Sequence, residues 1–341
     1  MLSIAGIDLK NNVIAAPMSG VSDLPFRRAA HRFGAGAVVS EMTACRELAH
    51  ARADVVRRIA DDGEIFPFIV QLAGREERWM AEGAKLAEAA GADIIDINMG
   101  CPSRQVTGVA SGSALMRDLD HALRLIEATV AATSKPVTVK MRLGWDWSSL
   151  NAPELASRAE AAGAAMLTVH GRTRNDFFNG VADWGAVKAV TSAVDIPVIV
   201  NGDIDCVDAA RAALDASGAD GVMVGRASIG RPWLVGAIAA ALNTGGPAVR
   251  PSVDTERDAV ITHYEETVAH YGTGLDRAPL GVRMARKHLA AYVENAPLEM
   301  APEQRRVLRG SICRLSAPAD VMRALQALYD GDIDAAMKDA A

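Results

Sequence analysis

The sequence predicts an α/β protein in which a closed barrel of eight strands and eight helices is followed by a small all-helical domain. Three observations predict this fold. Short apolar segments recur from residue 13 to residue 228, and Ala- and Leu-rich amphipathic stretches follow them. The segments are apolar almost throughout, as expected for parallel strands that are covered on both faces. Beyond residue 252 only helical periodicity continues.

The eight apolar segments begin mostly 24 to 32 residues apart, which is the size of one βα unit. The longest interval, from 93 to 136, leaves room for a loop after the fourth strand. Eight βα units predict a TIM (β/α)8 barrel. A doubly wound open sheet is the structural alternative, but it usually has fewer strands. The predicted strands are 13–18, 37–42, 67–73, 93–100, 136–144, 165–172, 197–203 and 221–228.

Composition narrows the class of protein. The 341 residues are 50% hydrophobic but only 4% aromatic, so the core must be built from small aliphatic side chains and Met, which suits a repeated α/β fold. The formal net charge of −6 excludes a global basic field, so an anionic partner must be held by a local patch.

Four cysteines, none in a CxxC pair or with zinc spacing, fit a reducing cytoplasm. The N-terminus lacks the features of a signal peptide, and no apolar run reaches the roughly 20 residues of a membrane helix. We expect a cytoplasmic monomer without a membrane anchor or a metal site. Cys45, Cys206 and Cys313 fall on predicted helices or helix starts, where packing roles are expected.

Polar side chains stand at the C-terminal end of nearly every predicted strand. In a barrel these ends converge on one mouth, where active sites lie. Helix capping is the alternative for single positions, but Lys, Gln, His and Arg are poor caps. The residues are Ser19, Glu41, Gln71, Asn98 with Cys101, Lys140 with Arg142, His170 with Arg172, Asn201 with Asp203, and Arg226.

The ends of the seventh and eighth strands predict a phosphate site. In "VNGDI" (200–204) and "VMVGRAS" (222–228), glycines let backbone N–H groups approach an anion. Arg226 adds a bidentate partner. A pair of tight turns is the alternative interpretation.

Other strand ends suit a planar redox cofactor. Gln71 can pair with an amide edge, and Lys140 can place positive charge beside a ring that becomes negative on reduction. Lys140 lies in the apolar "VTVKMRLG", where an unpaired lysine is costly, so it needs an anionic or electron-rich partner. His170 could bond the cofactor, orient a substrate, or be a satisfied structural histidine.

Cys101 follows the fourth strand in "IIDINMGCPSRQVTG" (94–108), where Pro102 stiffens the turn. A free thiol has a pKa of roughly 8.5 and is mostly protonated near neutrality. It can therefore act as a general acid as well as a nucleophile.

The helical domain has a basic centre. Residues 281 to 316 contain seven Lys and Arg against three Glu, a local charge of +4. Arg283 and Lys287 share a helical face, with Arg286 beside them. A solvated charged face is the usual explanation, and an anionic polymer is the alternative.

Together these motifs resemble the bacterial tRNA-dihydrouridine synthases, most closely the B-type subfamily. The match covers nearly the whole chain in order. It implies an FMN-binding TIM-barrel catalytic domain (1–245) and a helical tRNA-binding domain (252–335). The family uses NADPH to reduce the uracil C5–C6 double bond in tRNA. The motifs are "AAPMSGVSDLPFR", "SEM", "VQLAG", "DINMGCPSRQVTG", "GSALMRD", "VKMRLGWD", "TVHGRTR", "VNGDI", "VMVGRASIGRPW" and "RMARKH".

The resemblance also implies residue roles. Cys101 matches the catalytic cysteine, and Asn98 and Arg172 would face the substrate. Arg286, Lys287 and His288 match the tRNA-contacting "RKH". The FMN ligands would be Pro17, Met18, Ser19, Gln71, Lys140, His170, Asn201, Gly202, Asp203, Gly225 and Arg226.

One departure from the family lies after "GCP". The family commonly has lysine four residues past the cysteine, followed by "VTGGYAGSAL" or similar. This chain has Gln105 and then Val109, Ala110 and Ser111. The missing cation bears on tRNA affinity or on the choice of uridine.

The mechanism expected from the resemblance places hydride from flavin N5 on C6 of an extruded uridine, while Cys101 protonates C5. Three other functions stay open at this point. They are an FMN barrel of the dihydroorotate-dehydrogenase type acting on a free pyrimidine, an RNA-binding protein without turnover, and a colourless aldolase or epimerase that uses a Schiff-base lysine or a metal.

Overall fold

The computed structural model describes residues 2–108, 110–272 and 279–338, with side chains as far as residue 336. Eight parallel strands close into a barrel, because each pairs with the next and the last pairs with the first. This confirms the predicted TIM barrel. The barrel strands are β1 Val13–Ala15, β2 Ala37–Val39, β3 Phe68–Ala73, β4 Ile94–Met99, β5 Val137–Arg142, β6 Ala164–His170, β7 Val198–Asn201 and β8 Gly221–Val224.

Several strands end earlier than the sequence predicts. The segment predicted as 221–228 leaves the sheet after Val224, and Arg226–Ser228 forms a 3₁₀ helix. The polar residues at the strand ends belong to the loops that surround the barrel mouth. The short strand Thr43–Ala44, which pairs with the end of β3, was not predicted because two residues carry no periodicity.

An N-terminal hairpin, Ser3–Ile4 with Ile7–Asp8, was also not predicted. Its neighbours Leu2 and Leu9 pack with the hairpin against residues near the strand starts, such as Ile14. The apolar residues of this N-terminal segment therefore cover the amino ends of the barrel strands. The carboxyl ends remain available for a site.

Helices cover the outside of the barrel and are rich in alanine, which permits close packing on the strands. Asp23 caps the first helix by accepting from the N–H of Phe26 at 3.1 Å. Additional 3₁₀ helices are Arg57–Ile59, Gly112–Arg117 and Gly185–Val187. The α-helices are α1 Leu24–Arg32, α2 Cys45–Ala49, α3 Ala53–Val56, α4 Glu77–Ala89, α5 Arg104–Thr107, α6 Leu119–Val130, α7 Ala152–Ala161, α8 Lys188–Thr191, α9 Val207–Ser217 and α10 Leu234–Thr244.

After α10, the described chain is entirely helical and has an apolar core of its own. The sequence predicts three or four helices here. The described residues form five, because a short helix follows the turn at Gly331. The helical domain packs on α1, where Arg32 pairs with Glu266 at 2.6 Å. The helices are α11 Val253–Tyr271, α12 Leu280–Asn295, α13 Pro302–Arg314, α14 Pro318–Tyr329 and α15 Ile333–Lys338.

The described ranges contain neither a membrane-spanning helix nor a cluster of metal ligands. None of the helices described is both long and apolar enough to cross a bilayer. Nor do three His, Cys, Asp or Glu side chains from these ranges come together as metal ligands would.

Candidate active site

The carboxyl ends of the strands surround a cavity of about 1010 Å³. All eight strands or their following loops contribute to its walls, as expected for a barrel active site. Most of the predicted site residues meet here, although their individual roles stay predictions. Those that line the cavity are Pro17, Met18, Ser19, Gln71, Asn98, Cys101, Lys140, His170, Asn201, Gly202, Asp203, Gly225 and Arg226.

Arg172 is not among the lining residues, because its guanidinium is bound inside the loop after β6. Arg172 is 1% exposed and donates to the two oxygens of Asp203 at 2.9 and 2.6 Å. It also donates to the carbonyls of Asn179 and Gly180 at 3.0 and 2.7 Å. The contact with substrate that the resemblance implies does not fit this placement. Arg172 instead positions the carboxylate of Asp203.

His170 presents a neutral ring. Its Nε2 lies 3.3 Å from a guanidinium nitrogen of Arg172, and since a guanidinium only donates, the ring proton sits on Nδ1. Burial, and then the charge of Lys140, holds the pKa of His170 well below its usual value. For Asp203, burial would raise the pKa, but hydrogen bonds from Arg172 and from the Ala182 N–H outweigh it and the net pKa is lowered.

His288 lies between the helical domain and α1, where it is 2% exposed. Its ring stacks on Phe26 at 5.6 Å between centroids and meets His263 edge-on at 4.6 Å. Burial lowers the pKa of His288 to about 4, so the ring is neutral. In the structure this side chain packs against Phe26 and His263, and the tRNA contact implied by the resemblance stays a prediction.

Arg286 and Lys287 remain exposed on α12. A Cβ added to Gly20 would lie 2.6 Å from the Nζ of Lys287. Gly20 stands between Ser19 and Val21, which both line the cavity. Lys287 therefore brings a positive charge from the helical domain to the cavity rim.

The rest of the basic centre is largely neutralised within the protein. Arg305 donates to backbone carbonyls at the C-terminal end of α12 and just after it, the closest being that of Val293 at 2.5 Å. Arg306 pairs with Glu303 at 2.5 Å, and Arg309 pairs with Glu294 at 2.6 Å. Within the basic centre, the cations that form no ion pair with a described residue are Arg283, Arg286 and Lys287 on α12 and Arg305 and Arg314 on α13.

A chain of hydrogen bonds crosses β3 and β4 and ends at the cysteine turn. Asp96 accepts from Nε2 of Gln71 at 2.7 Å, and Oε1 of Gln71 accepts from Nδ2 of Asn98 at 2.8 Å. Oδ1 of Asn98 then accepts the N–H groups of Cys101 at 3.0 Å and Gly100 at 3.3 Å. A carboxylate only accepts, so Asp96 sets the direction of both amides.

Sequence reasoning missed Asp96. The available signal was an acidic residue in the middle of an apolar strand, since a buried carboxyl needs partners. Its partners are Gln71 on β3 and Thr138 on β5. The apolar segments of the sequence do not show which polar residues of neighbouring strands meet.

Cys101 opens onto the cavity from the turn after β4. Its carbonyl accepts from the N–H and Oγ of Ser113 at 3.1 and 2.8 Å, which anchors the turn. Burial raises the pKa of the thiol, while the backbone N–H of Ser103 and the charges of Arg142 and Lys140 oppose the rise. The thiol is therefore protonated at neutral pH, as a proton donor must be.

Two cations of β5 stand in the cavity wall. Lys140 is 9% exposed, donates to Oδ1 of Asn201 at 2.8 Å, and forms no ion pair with a described residue. Burial lowers its pKa to about 8. Arg142 donates to the carbonyls of Gly100 and Thr173 at 2.8 and 2.7 Å, and burial lowers its pKa to about 10. Both side chains carry positive charge at neutral pH.

Two aromatic residues of the loop after β6, Phe177 and Phe178, also line the cavity and were missed by sequence reasoning. Phe178 is 49% exposed, and the guanidinium carbons of Arg226 and Arg142 lie 4.8 and 5.5 Å from its ring centroid. The available signal was the pair of aromatics in the otherwise polar "RTRNDFFNG".

The two glycines of the predicted phosphate site differ in their surroundings. Gly202 has a φ of +116, and a Cβ there would lie 2.7 Å from Cβ of Ala182 and 2.9 Å from the His170 ring. At Gly225 an added Cβ would meet only Ala16, at 3.7 Å. Packing therefore explains Gly202, whereas Gly225 leaves its backbone open to the cavity.

The loop after Cys101 carries the departures from the family pattern. Gln105 lies on α5 and lines the cavity. Ala110 has a φ of +55, and Ser111 donates to the carbonyl of Gly74 at 2.9 Å. Val109 lies outside the described residues.

Fold and cavity together define an α/β-barrel enzyme with its site at the carboxyl ends of the strands. A family model described as "Dihydrouridine synthase (Dus)" matches residues 13–328. The chain therefore belongs to the dihydrouridine synthase family, as its motifs indicate.

Curated relatives agree with this assignment. A probable tRNA-dihydrouridine synthase of Rhodobacter capsulatus is 50% identical over 331 residues, which cover 96% of this chain and 98% of the relative. A tRNA-dihydrouridine synthase B of Xanthomonas campestris pv. campestris is 43% identical over 296 residues, which cover 87% and 88%.

Among solved structures, the old yellow enzyme homologue of Zymomonas mobilis superposes with a TM-score of 0.51 at 15% identity. The superposition covers 75% of this chain and 94% of that one. At this identity the likeness concerns the barrel fold alone.

Proposed function

We propose that this protein reduces the C5–C6 double bond of uridines in tRNA, with FMN as its bound cofactor and NADPH as its reductant, in the cytoplasm. The observation that carries the proposal is that Cys101, a protonated thiol, shares one cavity with Lys140, a buried cation, in a member of this family. A proton donor and a charge suited to a redox ring are the two groups that this reduction needs from the protein.

The donor set of the cavity fits FMN. Lys140 forms no ion pair with a described residue, although the charge of Asp96 acts on it, and a reduced flavin ring would supply a direct anionic partner. The open backbone at Gly225 and the guanidinium of Arg226 suit a phosphate. FMN held there would supply the hydride for C6 of the uracil, and NADPH would be the source of its electrons. The proposed ligands are Pro17, Met18, Ser19, Gln71, Lys140, His170, Asn201, Gly202, Asp203, Gly225 and Arg226.

The side chain of Asp203 has a narrower role within this set. Its carboxylate is held by Arg172 and repels a phosphate. Asp203 therefore contributes to the FMN phosphate site through its backbone and by fixing the loop after β7. Arg172 acts on the cofactor side only through Asp203 and His170.

Cys101 is the proposed acid. Hydride addition at C6 leaves an electron pair on C5, and the thiol of Cys101 gives its proton to that carbon. The resulting thiolate takes a proton from solvent. Burial keeps the proton on sulfur until it is needed, and the charges of Arg142 and Lys140 stabilise the thiolate when the proton has left.

The target uridine has to leave the tRNA stack to reach this cavity. Phe178 offers an exposed ring on which a planar base can stack. Asn98 retains one Nδ2–H that Gln71 does not take, and this donor suits a base oxygen.

Docking of the tRNA is assigned to α12. Arg286 and Lys287 are exposed there, and Lys287 reaches the cavity rim at Gly20. In a protein of net charge −6, these cations form a local patch beside the mouth, where a polyanion needs to be held.

The test compares the wild-type protein with Cys101→Ala and with Cys206→Ser, which alters a thiol outside the cavity. Three quantities are measured: flavin absorbance of the purified protein, bleaching by NADPH, and dihydrouridine in tRNA by mass spectrometry. We expect Cys101→Ala to retain flavin and its bleaching while dihydrouridine formation falls roughly 100-fold or more. Cys206→Ser should behave as the wild type.

Each part of the proposal has its own contrary result. Normal turnover by Cys101→Ala would refute the acid, and a colourless wild-type protein would refute the cofactor. Unchanged dihydrouridine in tRNA from a deletion strain would refute the proposed substrate. It would favour the alternatives of an enzyme acting on a free pyrimidine or of an RNA-binding protein without turnover.

A further inference from the structure

A second cavity of about 480 Å³ opens beside the main one, under the loop that follows β4. The two cavities share Met42, Gln105 and Val106 in their walls. We name the second cavity the arginine groove after four of its lining residues, Arg46, Arg52, Arg58 and Arg75.

Two of these arginines are already engaged and two are not. Arg58 donates to a backbone carbonyl at 2.9 Å, and Arg52 is held by both oxygens of Asp54 at 2.7 Å. Arg46 is exposed and forms no ion pair with a described residue. The carboxylate nearest to Arg75 in an ion pair is 3.8 Å away, which is a loose contact. Arg46 therefore has a guanidinium without an ion pair to a described residue, and the guanidinium of Arg75 is held only by its loose contact with Glu76.

A third donor is unused in the same wall. The indole Nε1 of Trp79, which also lines the groove, is buried and has no hydrogen-bond partner among the described residues. Guanidinium groups match phosphate oxygens bidentately, whereas the buried indole N–H of Trp79 reaches a ligand only if its side chain moves. Glu47 and Glu76 also line the groove, so the anion has to sit on the arginine side.

The position of the groove limits which phosphate it can take. It is built from the segments that follow β2, β3 and β4, whereas the proposed FMN phosphate site follows β7 and β8. The exposed cations of α12 approach the loop after β1. Gln105 on the shared wall is neutral, and the groove adds the positive charges of Arg46 and Arg75 to this side of the cavity.

We propose that the arginine groove binds a phosphate group of the nucleotide whose ring occupies the main cavity. The inference rests on the proposed function. Two ligands of the proposed enzyme carry a phosphate group: the RNA, in its backbone beside the target uridine, and NADPH, in its 2′-phosphate. The shared wall lets one ligand reach both cavities, with its ring in the larger one and its phosphate in the smaller one.

The experiment uses the flavin-loaded protein and the variants Arg46→Ala, Arg75→Ala and Arg46→Lys. Arg124→Ala is the matched control, because Arg124 is 53% exposed, pairs with Glu77 at 2.9 Å, and lies outside the groove. Rapid mixing measures the affinity for NADPH and for NADH from flavin bleaching. Steady-state assays measure KM for tRNA at two salt concentrations. Retained flavin absorbance and an unchanged Tm show that a variant is folded.

Losing one charged hydrogen-bond donor to phosphate should weaken binding roughly tenfold. Weaker NADPH binding with unchanged NADH binding would support the proposal and identify the 2′-phosphate. A higher KM for tRNA with a smaller salt dependence would support it and identify the RNA backbone. Arg46→Lys should retain part of the affinity, because an ammonium keeps the charge but not the bidentate geometry.

If both alanine variants bind NADPH and tRNA as Arg124→Ala does, the groove is not a phosphate site. Failure of the proposed function is distinguishable, because it shows in the wild-type protein as absent flavin or absent dihydrouridine before any groove variant is compared.

Discussion

Replacing Asp96 with asparagine should change how the stability of the protein depends on pH. Asp96 is 4% exposed, and its carboxylate accepts from Gln71 at 2.7 Å and from Oγ1 of Thr138 at 2.6 Å. Burial raises the pKa of Asp96 from its ordinary value of 3.8 to about 6, although both hydrogen bonds and the charge of Lys140 lower it. Asparagine has nearly the same shape but does not ionise.

The sign follows from proton binding. The folded state holds the proton of Asp96 more tightly than the unfolded chain, so ionisation favours unfolding. The stabilisation of the folded state by protonated Asp96 is fully present below pH 3.8 and is lost as the pH rises through 6. A shift of about two pKa units corresponds to about 3 kcal/mol, of which about half falls between pH 5 and pH 8.

The assay is urea denaturation of the wild-type and Asp96→Asn proteins at several pH values between 5 and 8. The free energy of unfolding of the variant minus that of the wild type should rise by about 1–2 kcal/mol across this range. Thr138→Val removes a hydrogen bond that favours the ionised carboxylate, so it should enlarge the loss seen in the wild type. A difference between Asp96→Asn and wild type that does not vary with pH would refute the reasoning.

Two further substitutions test the packing of the site. Gly202→Ala should lower Tm and flavin retention, at a cost of about 1–3 kcal/mol, because φ is +116 and the new Cβ would lie 2.7 Å from Ala182. Gly63→Ala shares a positive φ of +82 but meets nothing within 4 Å, so equal losses in the two variants would contradict the steric account. His288→Phe should leave KM for tRNA unchanged. It should also remove the loss of stability that protonation of His288 causes as the pH falls from 6.5 towards 4, which urea denaturation measures. A raised KM for tRNA would contradict the packing role and indicate that His288 contacts the RNA.

The barrel was predictable because each strand is an apolar run of its own, recognisable without knowledge of its neighbours. Strand ends were less so: 221–228 reads as one segment, yet the sheet ends at Val224. The unpredicted hairpin and the short Thr43–Ala44 strand form only because neighbouring chain provides a surface, and nothing in their few residues signals a period.

The site was predictable to the extent that the strand ends of a barrel meet at one mouth. This geometry brought Cys101, Lys140 and Arg226 into one cavity from three separate segments. The direction in which a side chain points was not predictable in the same way. Arg172 stands two residues after His170, but its guanidinium turns to Asp203, which is 31 residues further along the chain.

The sequence by itself determined the fold class, the family motifs and the residues available at the strand ends, because these depend on local periodicity and on residue type. Only the tertiary structure decided which of those residues face the cavity and which are buried as partners of others. Asp96 orients Gln71 and Asn98, His288 is packed against Phe26, and Arg46 and Arg75 line one groove. The physical reason is that a buried polar group must find partners, and in a closed barrel those partners come from segments distant in the chain.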